Sequence, residues 1–196
     1  MSAVSQFRSP EVRAFVQSLH EPEVRQQQVL QQLLSSNAEC EFGRRASFEK
    51  IRTIDEFRRA VPVAKYEAFS PMIDRIVHGG EQGLLTSEPV KRFFWTSGST
   101  AKPKYIPVTR TLIRAKARAF ATYWAAVFEA HPEVAREHTV TNFSDNSRPV
   151  HMPGGLPCSS ESAYWADVTR ASTLGRRPLI PECVAQIGDA EARYYT

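Results

Sequence analysis

Apolar residues recur at helical spacing through the first sixty positions of the chain. Ser9-Pro10 offers an N-cap and a first-turn proline, and Val12, Phe15, Val16 and Leu19 follow at i, i+3, i+4 and i+7, which predicts one amphipathic helix. Pro22 opens a second, glutamine-rich helix in which Val29, Leu30, Leu33 and Leu34 form the inward stripe before Ser35-Ser36-Asn37 ends it. Thr53-Ile54-Asp55-Glu56 reads as a capping box, a threonine N-cap with a glutamate three residues on, and the short helix it starts stops before Pro62. Ser70-Pro71 begins another short helix with Met72, Ile73, Ile76 and Val77 inward, and Gly79-Gly80 supplies the left-handed turn that closes it.

The texture then changes. Arg92-Phe93-Phe94-Trp95-Thr96 has the aromatic enrichment of a buried strand, a polar segment interrupts it, and Tyr105-Ile106-Pro107-Val108 returns to β character. Thr109 caps a long helix reaching about Ala130, with Ile113, Ala117, Phe120, Trp124 and Val127 along one side. Arg110, Arg114 and Arg118 share another side as a solvated basic row, while Lys116 falls within the apolar arc and must snorkel. Further on, Thr139 to Phe143 reads as a strand, Pro149 to Pro157 as loop, the surroundings of Tyr164-Trp165 as a weak strand or helix, and the last fifteen residues as the start of another helix. A helical start followed by strands makes the fold class α/β.

Composition narrows the function classes. With 196 residues, 42% hydrophobic and 23% charged, the chain is an ordinary globular unit and neither disordered nor fibrous. Its +4 net charge comes from basic residues spread along the chain among acids, a pattern that does not point to a nucleic-acid partner. Cys40, Cys158 and Cys183 match no zinc spacing and are odd in number, which suits a reducing, cytoplasmic setting. No apolar run approaches the ~18 residues of a membrane span. The five histidines are scattered, none paired at metal-ligand spacing; His151 alone sits in a loop that could line a site.

One segment demands chemistry. Thr96-Ser97-Gly98-Ser99-Thr100-Ala101-Lys102-Pro103-Lys104 packs four hydroxyls, a glycine and two lysines directly behind a hydrophobic strand. Hydroxyls and free backbone N–H groups in a tight loop form the concave donor surface a polyphosphate needs, Gly98 allows close backbone approach, and Lys102 or Lys104 adds a point charge. It is not a Walker A loop. By composition alone the same residues also suit a solvated hairpin tip.

This segment resembles the phosphate-binding loop of the adenylate-forming superfamily. Within that superfamily, Val61-Pro62-Val63, Tyr66-Glu67, Pro71, Ile73-Asp74-Arg75-Ile76, Gly80-Glu81, Leu84-Leu85-Thr86-Ser87-Glu88-Pro89-Val90 and Lys104-Tyr105-Ile106-Pro107 are similar, in order and spacing, to the auxin-responsive acyl-acid amido synthetase family. The resemblance implies the N-terminal portion of an adenylate-forming large domain, with a helical segment at 1–62 and an α/β segment at 63–196 around a phosphate loop at 96–104. It implies an ATP-dependent ligase that activates a carboxylic acid as its acyl adenylate and passes it to an amino acid. Ser97, Gly98, Ser99, Thr100 and Lys104 carry over as phosphate contacts. ATP and Mg2+ are the implied cofactors, with the magnesium-binding acid, the adenine and ribose segments and a mobile C-terminal domain expected beyond Thr196. On that reading the chain is truncated, and the alternative is a non-catalytic remnant that binds nucleotide or a partner without turnover. Ala101 stands where the superfamily usually has glycine, which forbids easy positive φ at that point of the loop.

Overall fold

The computed structural model describes residues 7–96, 103–136, 150–171, 181–185, 187, 189 and 191–192. Helices α1 (Pro10–Ser18), α2 (Pro22–Ser36), α3 (Glu41–Arg45), α4 (Ile54–Ala60) and α5 (Ser70–Gly79) precede every strand. Strands β1 (Arg92–Thr96) and β2 (Lys104–Val108) lead into the long helix α6 (Arg110–Ala130). Strands β3 (Val150–His151) and β4 (Pro157–Ser160) run into α7 (Glu161–Ala171), and a short α8 (Glu182–Ala185) follows.

The caps read from sequence are made. Ser9 Oγ accepts from the Val12 N–H, Thr109 Oγ1 accepts from the Leu112 N–H, and Thr53 with Glu56 closes both halves of its capping box. Each cap satisfies backbone donors that a helix start otherwise leaves to water. Gly80 ends α5 at φ +67°, in the left-handed region. The expected strand at 139–143 lies outside the described residues.

The sheet order is β2-β1-β4-β3. Antiparallel pairing sets Arg92 opposite Val108 and Thr96 opposite Lys104, whereas β1 and β4 run parallel, with Phe93 beside Cys158 and Trp95 beside Ser160. Strand β3 is antiparallel to β4 through Val150 and His151, so the segment expected as a loop from Pro149 to Pro157 contains the sheet's far edge. Pro157 fits there because it opens its strand, where a missing N–H breaks no interior ladder.

Strand β1 is buried on both faces: Phe93 is 0% and Phe94 4% exposed. Phe93 joins Met72, Ile73, Ile76 and Val77 of α5, together with Leu84, Val90, Met152 and Cys158, in the main core. On the other face Phe94 meets Tyr164 of α7, ring centroids 5.5 Å apart, and the Arg92 guanidinium lies 4.4 Å from that same ring. A second core of Leu34, Phe48 and Ile51 holds the N-terminal helices, and Phe42 links the two by edge contacts with Phe48 and Phe69.

Several residues expected on buried helix faces remain open: Phe15, Leu19, Val29, Leu33, Phe120 and Trp124 are all more than a third exposed. Each helix packs along one edge of its apolar stripe. Among the described residues α2 buries Leu34 alone, and in α6 Phe120 reaches the Trp165 ring at 5.3 Å while staying 48% exposed. Helix α1 buries Val12, and the residues just before it are tied to α6 by polar contacts, with the Arg8 and Ser9 N–H groups donating to the Glu129 carboxylate at 2.7 and 2.6 Å.

The β3–β4 turn locks onto the end of α5 through Gly154, whose N–H donates to the Val77 carbonyl at 2.7 Å. A Cβ at that position would lie 2.7 Å from the Gly80 nitrogen, 2.9 Å from the Val77 oxygen and 3.0 Å from the Ile76 oxygen, all backbone atoms that cannot swing aside. Gly154→Ala is therefore expected to lower the free energy of unfolding by about 1–3 kcal/mol. Gly79→Ala, where a Cβ meets nothing within 4 Å, should be neutral or mildly stabilising. Urea unfolding of the two variants measures the contrast; equal effects would contradict the close approach.

Candidate functional site

Thr96 closes β1 and Lys104 opens β2 as a register pair, so the polar segment expected to bind phosphate springs from the carboxyl end of β1. Ser97, Gly98, Ser99 and Thr100 lie outside the described residues, as do Ala101 and Lys102; Lys104 is described. Beside this base ends β4, because parallel pairing places Ser160 next to Trp95. In open sheets ligands bind outside the carboxyl ends of adjacent parallel strands, and this is the point where the β1–β4 pair presents both.

The chain leaving β4 is firmly anchored. Ser160 Oγ accepts from the Ala163 N–H at 3.3 Å and so caps α7. The Glu161 carboxylate takes the Lys116 ammonium at 2.6 Å and the Trp165 indole N–H at 3.2 Å, tying α6 to α7. Lys116, expected to snorkel toward water, instead ends on an acid of the neighbouring helix.

Lys104 has a different environment. Its ammonium lies 5.4 Å from the centre of the Tyr66 ring, and among the described residues no acid pairs with it. The Tyr66 hydroxyl accepts from the Tyr105 N–H at 3.0 Å and donates to the Tyr105 carbonyl at 3.3 Å. Burial pushes the Tyr66 pKa above the ordinary phenol value, which keeps the proton this second bond requires. Tyr66 occupies a single 3₁₀ turn, Tyr66–Ala68, just ahead of α5. In the sequence Tyr66 stands out only within a family motif; its contact with Tyr105 spans 39 residues and leaves no local pattern.

The Leu84 to Val90 motif anchors the start of the helix that follows the hairpin. Thr86 Oγ1 donates to the Glu88 carbonyl at 2.7 Å, and the Glu88 carboxylate accepts from the Thr111 N–H at 3.1 Å at the start of α6. Burial alone would raise the Glu88 pKa, but hydrogen bonds from Thr111 and Thr109 and the nearby charge of Arg114 outweigh it and hold the group below the ordinary value. Of the basic row of α6, Arg114 alone contributes to holding this carboxylate charged. His151 stands exposed on β3 opposite Pro157, at the start of β4 and so at the other end of the sheet from the hairpin tip. Among the described residues no group of three or more His, Cys, Asp or Glu is placed to hold a metal ion.

A sequence profile of the GH3 family N-terminal domain matches residues 11–196. The chain is 28% identical over 162 residues to a probable indole-3-acetic acid-amido synthetase GH3.12 of Oryza sativa subsp. japonica, covering 81% of this chain and 26% of that protein. It is 35% identical over 75 residues to indole-3-acetic acid-amido synthetase GH3.5 of Arabidopsis thaliana, covering 38% of this chain and 12% of that one. A solved GH3.15 acyl acid amido synthetase superposes with a TM-score of 0.72 at 21% identity, covering 93% of this chain and 32% of the other, which is a likeness of fold. The chain thus spans about a quarter to a third of the length of the larger matches.

Glu88 yields a pH prediction. Because its pKa is lower in the folded state than the ordinary 4.5, its contribution is fully present above that value and is lost as the pH falls through the folded pKa. Urea midpoints measured from neutral pH down to about pH 3 should therefore decline less steeply below about pH 4.5 in Glu88→Gln than in the parent. Parallel acid limbs in the two proteins would count against this carboxylate as the anchor of α6.

Proposed function

The chain belongs to the GH3 family, and from that premise we propose that its β1–β2 hairpin is the polyphosphate-gripping part of an ATP-dependent acyl acid amido synthetase. The observation that carries this reading is Lys104: a half-buried cation with no acid partner among the described residues, at the base of a hydroxyl-rich loop and beside the carboxyl ends of two parallel strands. Its donor chemistry fits the β- and γ-phosphates of ATP. Ser97, Ser99 and Thr100 add hydroxyl and backbone donors, and Gly98 admits the backbone close to a phosphate oxygen.

In the proposed reaction a carboxylate oxygen attacks the α-phosphorus of ATP, and the bond from that phosphorus to the oxygen bridging to the β-phosphate breaks. Pyrophosphate carries away the electron pair. An amino acid's amine nitrogen then attacks the acyl carbon of the adenylate, loses a proton and displaces AMP, leaving an amide. Lys104 and the loop donors face the pyrophosphate, where negative charge grows as the bridging bond lengthens, so their attraction is strongest in the transition state. A magnesium ion, if it entered with ATP, would add charge neutralisation on the phosphates. The names of the rice and Arabidopsis relatives point to an indole carboxylic acid for those proteins; for this chain the proposal is a carboxylic acid and an amino acid. Among the described residues no helix is long and apolar enough to cross a membrane, and Cys40, Cys158 and Cys183 are unpaired; we place the protein in the cytoplasm.

Calorimetric titration of the 196-residue chain with MgATP tests the assignment. Micromolar affinity corresponds to about −8 kcal/mol, more than one loop supplies, so the expected dissociation constant lies well above that range. Lys104→Ala should weaken binding roughly tenfold or more, as should Ser97→Ala combined with Ser99→Ala, since hydrogen bonds to charged groups are worth about 1.5–3 kcal/mol. Lys102→Ala should change it less. Unaltered affinity in the Lys104 and serine variants would refute the phosphate-loop assignment.

A further inference from the structure

We infer that Tyr66 is the positioning residue of this site, its hydroxyl fixing the strand that carries Lys104 and its ring holding the lysine's ammonium at the hairpin base; this rests on the phosphate-loop reading above. Among the described residues strand β2 is the outer strand of the sheet, with β1 on one side only. In an antiparallel ladder a residue's N–H and C=O turn together, either toward the partner strand or away from it. The Tyr66 hydroxyl takes both groups of Tyr105, so at this residue they face the open edge, and one side chain substitutes for a missing strand. An edge left unpaired there would fray from its first residue, and that residue is Lys104.

The ring contributes a separate effect. A lysine carries a flexible four-carbon stem, and holding its head in one place costs rotamer entropy at the moment a ligand binds. The face of an aromatic ring attracts an ammonium without neutralising it. The contrast with Lys116 is direct: that ammonium sits 2.6 Å from the Glu161 carboxylate, its charge matched by an acid, whereas Lys104 is held 5.4 Å from a ring centre with no acid against it among the described residues. Tyr66 itself is half-buried and packs against the main core, as Phe69, Trp95 and Tyr105 also do.

The test separates the hydroxyl, the ring and the charge in the full 196-residue chain, with inorganic tripolyphosphate as the probe. Tyr66→Phe removes only the hydroxyl, Tyr66→Leu removes the ring as well, and Lys104→Met removes the charge. In the ligand-free protein, Tyr66→Phe should speed hydrogen exchange at the Tyr105 amide. The upfield ring-current shift of the Lys104 ε-methylene protons should survive in Tyr66→Phe and vanish in Tyr66→Leu. Tripolyphosphate affinity should fall about 3- to 10-fold in Tyr66→Phe, the range of one net hydrogen bond, and further in Tyr66→Leu. In the Lys104→Met background neither Tyr66 change should weaken binding again, because Tyr66 acts through that lysine.

If Lys104→Met loses affinity but Tyr66→Phe does not, or if Tyr66→Phe costs as much without the lysine as with it, the positioning role is overturned while the phosphate loop stands. Parent-like binding by Lys104→Met, or no binding by the parent chain, overturns the phosphate reading and the role of Tyr66 with it. Should Tyr66→Leu fail to fold, the Tyr66→Phe cycle and the Tyr105 exchange rate decide the matter alone.

Discussion

The double burial of β1 is the constraint on which the rest of the molecule depends. Phe93 and Phe94 are adjacent, point to opposite faces and are both withdrawn from water, so this strand must have helices on either side. Helix α5 covers one face and α7 the other. Parallel pairing with β4 follows from the same demand, since α7 reaches the Phe94 face by leaving the carboxyl end of the strand beside it. Once those packings are made, Thr96 and Lys104, the two ends from which the hairpin tip springs, stand beside the carboxyl ends of two parallel strands.

Two lysines near this end of the sheet show how similar side chains acquire different uses. Lys116, on α6, ends on Glu161 and joins two helices; its charge is consumed in structure. Lys104 meets an aromatic ring and, among the described residues, no acid. The distinction is carried by the partners and not by the lysines, and Tyr66 and Glu161 come from segments almost a hundred residues apart.

Local signals in the sequence were faithful where the physics is local. Ser9, Thr53 and Thr109 cap the helices that their positions announce, and the aromatic run from Arg92 to Thr96 is the buried strand it resembles. Strand β4 was hidden because Pro-Cys-Ser-Ser has no β-branched or aromatic residue; its place comes from the β1 and β3 strands that flank it. The apolar stripes of α1, α2 and α6 mark which faces are hydrophobic, yet not how much of each is covered, which depends on where neighbouring helices lie. At the candidate site, Lys104 was legible from composition and family resemblance together. Tyr66 was not, because its two bonds to Tyr105 depend on a turn preceding α5 meeting the sheet's open edge.

The proposed task of this hairpin is to grip the phosphates that leave as pyrophosphate. Its most direct test is acid-dependent exchange of labelled pyrophosphate into ATP, in a chimera where these residues replace the matching N-terminal stretch of the Arabidopsis relative. The chimera should exchange, and Lys104→Ala should slow exchange by about 10²–10³-fold, the range for losing one donor aimed at developing charge. Exchange that proceeds at the same rate with and without the Lys104 ammonium would contradict it.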